Sequence, residues 1–360
     1  MSHPAQERLG ALRARLRERC LGALVVSSPS NIYYLSGFRG SSGALLVGPT
    51  RAALFSDFRY RLQAAEQAPD WEFVEVERRL LHAVGERARE WAAAPLGYDP
   101  EHLTCARRQE LSQGAGDLEL AEAPGLVEEL RAVKSEEEIA AIRAAAALAD
   151  EALAHILSLV RPGATERALA LEGEFLMRRR GAQAAFDIIV ASGPRSALPH
   201  AETTDRELKE GDLLLVDIGA RLDGYCSDLT RTFAVGSASA RARELYALVY
   251  RAQRAGVAAL APGARAGEVD GAARTVIAEA GWGEAFGHGL GHGVGIDVHE
   301  APRLARQEER ELAVGNVVTI EPGIYAPDLG GVRLEDLLVV RPGSAETLTG
   351  APLPAELPTL

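Results

Sequence analysis

The chain has 360 residues, 47% of them hydrophobic, with 39 Lys plus Arg against 51 Asp plus Glu and a formal net charge of −12. That length accommodates two domains with separate cores, no apolar run approaches a membrane span, and the acidic balance argues against nucleic acid as a partner. Cys20, Cys105 and Cys226 stand singly without C-x-x-C spacing, which argues against a disulfide framework or zinc knuckle and fits a reducing, cytoplasmic compartment.

In chain order, the first 20 residues alternate charge with apolar positions and predict an amphipathic surface helix without the apolar centre of a signal peptide. Apolar runs at 21–26, 43–48, 51–55 and 71–76, alternating with helical stretches at 58–68 and 79–93, predict an α/β unit over 1–126. After Pro124-Gly125, Ser135 and Glu138 form an S-x-x-E capping box that opens a helix to about Val160. Further helices are expected at 165–180, 239–260 and 266–280, so that 127–360 forms a second αβ domain.

Asp217 and Asp228 lie in LLLVDIG and CSDLTRTFAV, two strand-like runs separated by Asp223-Gly224, a two-residue hairpin turn. If that turn closes the hairpin, Asp228 faces Gly219 and Asp217 is its diagonal neighbour on the same face, about 7–8 Å away. Such a pair suits two metal ions about 3.5–4 Å apart. Apolar residues beside both acids imply that the sheet is covered on both faces, where an unpaired carboxylate is costly. Glu321 ends the run Val317–Ile320 before Pro322-Gly323, and Glu335 precedes the LLVV run; each is an acid on an apolar strand and calls for a partner.

GHGLGHGVG carries His288 and His292, with His299 following in IDVHE. It matches neither G-x-G-x-x-G nor a G-K-[ST] phosphate loop, so the imidazoles rather than a phosphate explain the segment. With His292, the four carboxylates read as a two-metal hydrolase site. An internal echo supports this: RPGA at 161 and APGA at 261 each lead through a helix, a glycine at 181 or 281 and a histidine to GDLLLVDIG or GNVVTIEPG, an offset of about 100 residues. Asp217 and Glu321 then hold equivalent places in two half-domains, with the site between them.

On these motifs, residues 130–345 resemble the pita-bread metallopeptidases, the family of methionine aminopeptidase, aminopeptidase P and prolidase. The resemblance implies a metal-ligand set of Asp217, Asp228, His292, Glu321 and Glu335, all present. It further implies substrate-binding or proton-handling roles for His200, His288 and His299, and places Tyr325 and Arg333 along the site. His288, four residues before His292, and SPSNIYYLSGFRGSSGALLVGP at 28–49 resemble the proline-specific branch, with its creatinase-like N-terminal domain.

The expected function is therefore Xaa-Pro dipeptidase, with aminopeptidase P, methionine aminopeptidase and a non-catalytic peptide-binding protein as alternatives. The oxygen-rich ligand set suits two divalent ions, Mn²⁺ first, with Co²⁺ or Zn²⁺ as substitutes. Glu321 is expected to move the proton, His299 and His288 to bind the carbonyl or oxyanion, and His200 and Arg333 to hold the leaving-group side. Arg39, in the GF-x-GSS loop, is the candidate for a dipeptide's free carboxylate. The expected partners are a proline-containing di- or oligopeptide and a second copy of the chain in a homodimer.

Overall fold

The computed structural model describes residues 4–360. Its chain divides into a first unit ending at Arg131 and a second, Ala132–Leu360.

In the first unit, α1 (Pro4–Glu18) buries Leu9, Leu12 and Leu16, the i, i+3/i+4 stripe of an amphipathic helix. The strands β1 (Ala23–Val26), β2 (Ala44–Val47), β3 (Ala52–Ser56), β4 (Glu72–Glu75), β5 (Leu96–Tyr98) and β6 (Leu120–Glu122) form one sheet in the order β4-β3-β2-β1-β5-β6. Its β1–β2–β3 meander is antiparallel, and β4, β5 and β6 are added in parallel. The helices are α2 (Pro29–Ser36), α3 (Arg61–Gln67), α4 (Leu80–Glu90), α5 (Cys105–Ala115) and α6 (Leu126–Ala132).

Helices α2 and α5 and strands β5 and β6 were outside the sequence expectation. Helix α2 is eight residues long, carries Ile32, Tyr33 and Tyr34 at its centre, and is set by Pro29 at its start and by Gly37 at φ 79° beyond its end. Helix α5 buries little beyond Leu111, Gly114 and Ala115, so it has almost no apolar period. It packs backbone to backbone instead: a Cβ at Gly114 would stand 2.0 Å from the His82 carbonyl oxygen.

The second unit opens with α7 (Glu136–Ser158), whose capping box is complete: Ser135 Oγ accepts the Glu138 N–H and Glu138 Oε2 accepts that of Ser135. Then come α8 (Glu166–Arg179), β7 (Gln183–Ala184), β8 (Ile189–Ser192), β9 (Leu213–Ile218), β10 (Ala220–Leu222), β11 (Tyr225–Cys226) and β12 (Leu229–Ala234). Helices α9 (Ala240–Ala259) and α10 (Ala266–Glu279) follow, with strands β13 (Gly291–Gly293), β14 (Glu300–Leu304), β15 (Val317–Ile320), β16 (Gly323–Ala326), β17 (Gly330–Arg333), β18 (Asp336–Val339) and β19 (Glu346–Thr347).

The repeat is visible bond by bond. Gly163 N donates to Leu208 O and Leu208 N to Ala164 O; Gly263 N donates to Leu312 O and Leu312 N to Ala264 O. The antiparallel pair β9–β12 answers β15–β18, and each half buries its own core, around Leu169 and Val216 in one and Val269 and Val318 in the other. Two similar αβ halves thus present the ends of β9 and β15 to a common centre. No described helix is long and apolar enough to cross a membrane.

Candidate metal centre

The β9–β12 hairpin has the register expected from its sequence. Asp223 and Gly224 take φ of 49° and 91°, as a tight primed turn requires, and Leu222 faces Tyr225. Farther along, Ile218 faces Leu229 and Asp217 faces Thr230, the same register on both sides of the break at Gly219. Val216, Ile218 and Leu229 are fully buried, so the sheet is covered on both faces.

His292 sits on β13 between β14 and β15. The glycines around it serve close packing, since a Cβ at Gly291 would lie 2.0 Å from Thr319 O and one at Gly293 2.3 Å from Ala301 O. His292 Nδ1 donates to Gly293 O (3.1 Å), which leaves Nε2 facing Glu321 Oε1 at 3.3 Å and Asp228 Oδ2 at 3.6 Å. This is how a metal-binding imidazole is oriented, one nitrogen fixed by a carbonyl and the other presented to the ion.

Ligand atoms of Asp228, His292 and Glu335 all lie within 4.8 Å of one another. Glu335 Oε2 accepts from Thr230 Oγ1 (2.6 Å), and Asp217 Oδ2 pairs with the Arg333 guanidinium. Asp217 Oδ1 and Glu335 Oε1 are buried with no hydrogen-bond partner. Four clustered carboxylates against one guanidinium, two of them with an orphaned oxygen, fit divalent cations.

The electrostatics agree. Burial, then neighbouring carboxylates, pushes Asp228 and Glu335 well above the usual range; burial also raises Asp217, against the pull of Arg333. For Glu321, burial acts upward but the hydrogen bond and charge of His292 outweigh it and bring it to about 2. For His292, burial acts downward, and Glu321 and Asp228 outweigh it to give about 9.

A pH prediction follows for protein stripped of divalent ions. Acids whose folded pKa is raised contribute stability that is complete below the ordinary carboxylate range and is lost as pH rises; His292 contributes below its ordinary value and loses this as pH passes about 9. Glu321, depressed to about 2, loses its contribution only as pH falls towards that value. The melting temperature in chelator should therefore fall from pH 5 to pH 9, and the gain on adding Mn²⁺ should grow. A flat or rising chelator curve would contradict this charge arrangement.

The remaining expected residues divide. The imidazole of His299 is exposed, 4.3 Å between ring centroids from His292, and its pKa is lowered by burial and then by the charge of His292. His200 is also exposed, close enough for its charge to act on His299. His288 was expected to meet the substrate carbonyl, but both its ring nitrogens have partners, Gly289 O at 2.8 Å and Tyr325 OH at 2.9 Å. Arg333 was expected to grip substrate; it is buried and bonded to Asp217, Tyr325 OH, Thr230 Oγ1 and Pro199 O. In this arrangement hydrogen bonds link His288 through Tyr325 and Arg333 to Asp217. Arg39 lies in the first unit, its guanidinium 4.8 Å over the Tyr33 ring and bonded to Tyr33 OH.

Two threonines were not expected. Thr230 Oγ1 donates to Glu335 and Thr319 Oγ1 to Glu321 Oε1 (3.2 Å). For Thr319 the signal was available, because T-x-E at 319–321 puts the hydroxyl two residues from the carboxylate it meets; Thr230 meets Glu335 across 105 positions, which no local spacing announces. A second cluster, Asp99, His102 and Glu128, is bridged internally: His102 Nε2 meets Glu128 Oε1 at 2.8 Å, and the Asp99 oxygens accept the N–H groups of Glu101 and Gly125.

Comparison with known proteins agrees with this geometry. Residues 140–342 match metallopeptidase family M24, and residues 8–133 match the creatinase/prolidase N-terminal domain. The chain is 36% identical to an Xaa-Pro dipeptidase of Pyrococcus horikoshii over 91% of this chain and 93% of that protein. A solved Xaa-Pro dipeptidase from Bacillus anthracis is 40% identical with a TM-score of 0.94, covering 99% of this chain and all of that one. An X-Pro aminopeptidase structure from Thermotoga maritima follows at 32% and 0.87, covering 95% of this chain and 99% of its own. With a family match over more than half its length and carboxylates arranged for divalent ions, the chain belongs to metallopeptidase family M24.

Proposed function

We propose that the protein is an Xaa-Pro dipeptidase, a cytoplasmic homodimer using two Mn²⁺ ions held by Asp217, Asp228, His292, Glu321 and Glu335. The observation that carries the metal assignment is the orphaned buried oxygen of Glu335 within the Asp228–His292–Glu335 cluster, with a second on Asp217, whose charge acts on Asp228. The dipeptide reading draws support from relatives named Xaa-Pro dipeptidase that align along nearly the whole chain.

Bound divalent ions supply an acidified water and polarise the scissile carbonyl. Glu321, which accepts a hydrogen bond from Thr319 and is ionised at neutral pH, would take the water's proton and deliver it to the departing nitrogen. The departing proline nitrogen, like that of any hydrolysed peptide bond, must gain a proton to leave, and here it leaves as a secondary amine. His299, neutral near pH 7 because its pKa is lowered, offers an N–H to the oxygen that becomes negative. His200, exposed and acting on His299 through its charge, would hold the same substrate on its leaving side.

The decisive comparison is Ala-Pro, Ala-Pro-Ala and Met-Ala-Ser with Mn²⁺. Preference for Ala-Pro supports the dipeptidase; preference for the tripeptide makes the protein an aminopeptidase P, and no turnover at all returns it to peptide binding. Arg39 is the proposed contact for the dipeptide carboxylate. Arg39→Ala should raise KM for Ala-Pro about 10-fold, on the scale of about 1.5–3 kcal/mol for a charged hydrogen bond, while leaving Ala-Pro-Ala level. Unchanged Ala-Pro kinetics would remove Arg39 from the site.

A further inference from the structure

We infer that the buried ion pair between Lys134 and Glu300 is a positioning device that aims His299 at the reacting carbonyl, an inference that rests on the peptidase reading above. The pair is enclosed: the side chains are 1% and 6% exposed, with Lys134 Nζ 3.2 Å from Glu300 Oε2. The other carboxylate oxygen, Oε1, accepts the Asp297 N–H at 2.9 Å and so closes the turn that contains His299. Gly295 leaves room for this carboxylate, since a Cβ there would stand 2.6 Å from Oε2 and 2.8 Å from Oε1.

Both ends of the pair are tied to strands that carry proposed ligands. Lys134 N donates to Gly315 O, and Asn316 Nδ2 donates to Ala132 O, immediately before β15 and Glu321. On the other side, Cys226 N donates to Gly295 O at 2.7 Å and Cys226 Sγ to Ile296 O, two residues before Asp228. The segment of Lys134 is therefore tied to the approach of β15 and the loop of Glu300 to the approach of Asp228, and the ion pair joins the two at the loop's end. Glu300 begins β14, and His299 immediately precedes it in the bend that the Asp297 N–H bond to Glu300 closes. With the Glu300 carboxylate held inward by Lys134 at one end of that bend, the adjacent His299 stands beside His292 at 4.3 Å between centroids.

Stability does not require such a pair. A buried ion pair commonly gains nothing over neutral residues of similar shape, whereas it does define one geometry. The double variant Lys134→Met/Glu300→Gln removes both charges while its amide oxygen can still accept from Asp297. It should melt at or above the wild-type temperature and keep its metal content. Its kcat for Ala-Pro should fall on the order of 10- to 100-fold, the effect of a misplaced group, with KM changed by less than about threefold.

Two readouts separate positioning from mere packing. In ¹³C-histidine-labelled protein, the ring resonances of His299, assigned by their absence in His299→Ala, should shift in the double variant even without metal. In a His299→Ala background the double substitution should cost no further kcat, because the pair acts through that imidazole. Wild-type kcat with unmoved His299 resonances, or a kcat loss that multiplies in full in the His299→Ala background, would overturn the inference. If the double variant does not fold, Glu300→Gln alone carries the same readouts. Should the wild type cleave no Xaa-Pro substrate while the His299 resonances move, the proposed substrate fails and the positioning stands.

Discussion

Asp228→Ala, His292→Ala and Glu335→Ala are each expected to lose bound metal and peptidase activity together. The three donate from β12's approach, β13 and β18's approach, and their ligand atoms lie within 4.8 Å, so deleting one opens the shared cage. Lewis-acid stabilisation worth several kcal/mol corresponds to about a thousandfold or more in rate. Misfolding can be told apart from metal loss. Because burial holds Asp228 and Glu335 well above the usual carboxylate range, replacing either with a neutral residue removes a costly ionisation from the ion-free protein. Both carboxylate variants should then melt no lower than wild type in chelator near pH 8, but should fail to gain the wild-type increment when Mn²⁺ is added. Full metal content with retained activity in any of the three would refute the assignment. Asp217 is a less clean test, since its removal also strips the buried Arg333 of a charged partner.

The parts of the fold legible in sequence are those governed by local rules. Asp-Gly between two apolar runs set the hairpin register that makes Asp217 and Asp228 diagonal neighbours, and the observed pairs Leu222–Tyr225 and Ile218–Leu229 keep it. The S-x-x-E box placed the start of α7, and the 100-residue echo announced two αβ halves that share hydrogen bonds such as Gly163–Leu208 and Gly263–Leu312. What was missed has weak local signal. Strands β5 and β6 are three residues each, too short for a period, and α5 packs through Gly114 rather than an apolar stripe.

In the site, sequence located the residues but not their partners. Arg333 meets Asp217 across 116 positions, and Glu300 meets Lys134 across 166, distances over which no periodicity speaks. The chain of bonds from His288 through Tyr325 and Arg333 to Asp217 was hidden for the same reason. His299 and His200 are exposed.

Glu321→Gln should leave a folded protein that is nearly inactive. The amide has the carboxylate's shape, and its oxygen can still accept from Thr319 Oγ1 and face His292, so β15 has no reason to move. What the amide cannot do is carry a proton from water to the departing proline nitrogen. General acid–base work of this kind is worth about 10²–10⁴-fold, and kcat should fall by that much or more, since one ligand charge is lost as well. The measurement pairs kcat with metal content, so that the proton-transfer loss is read at equal occupancy. A second readout needs no substrate. The hydrogen bond and charge of Glu321 lead the upward pull that holds His292 near 9, with burial pulling the other way. In ion-free Glu321→Gln the His292 titration should therefore move down by NMR, and the stability that wild type loses as pH rises through about 9 should be lost at lower pH. Substantial turnover at full metal content would take the proton-transfer role away from Glu321, and an unmoved His292 titration would contradict the contact itself.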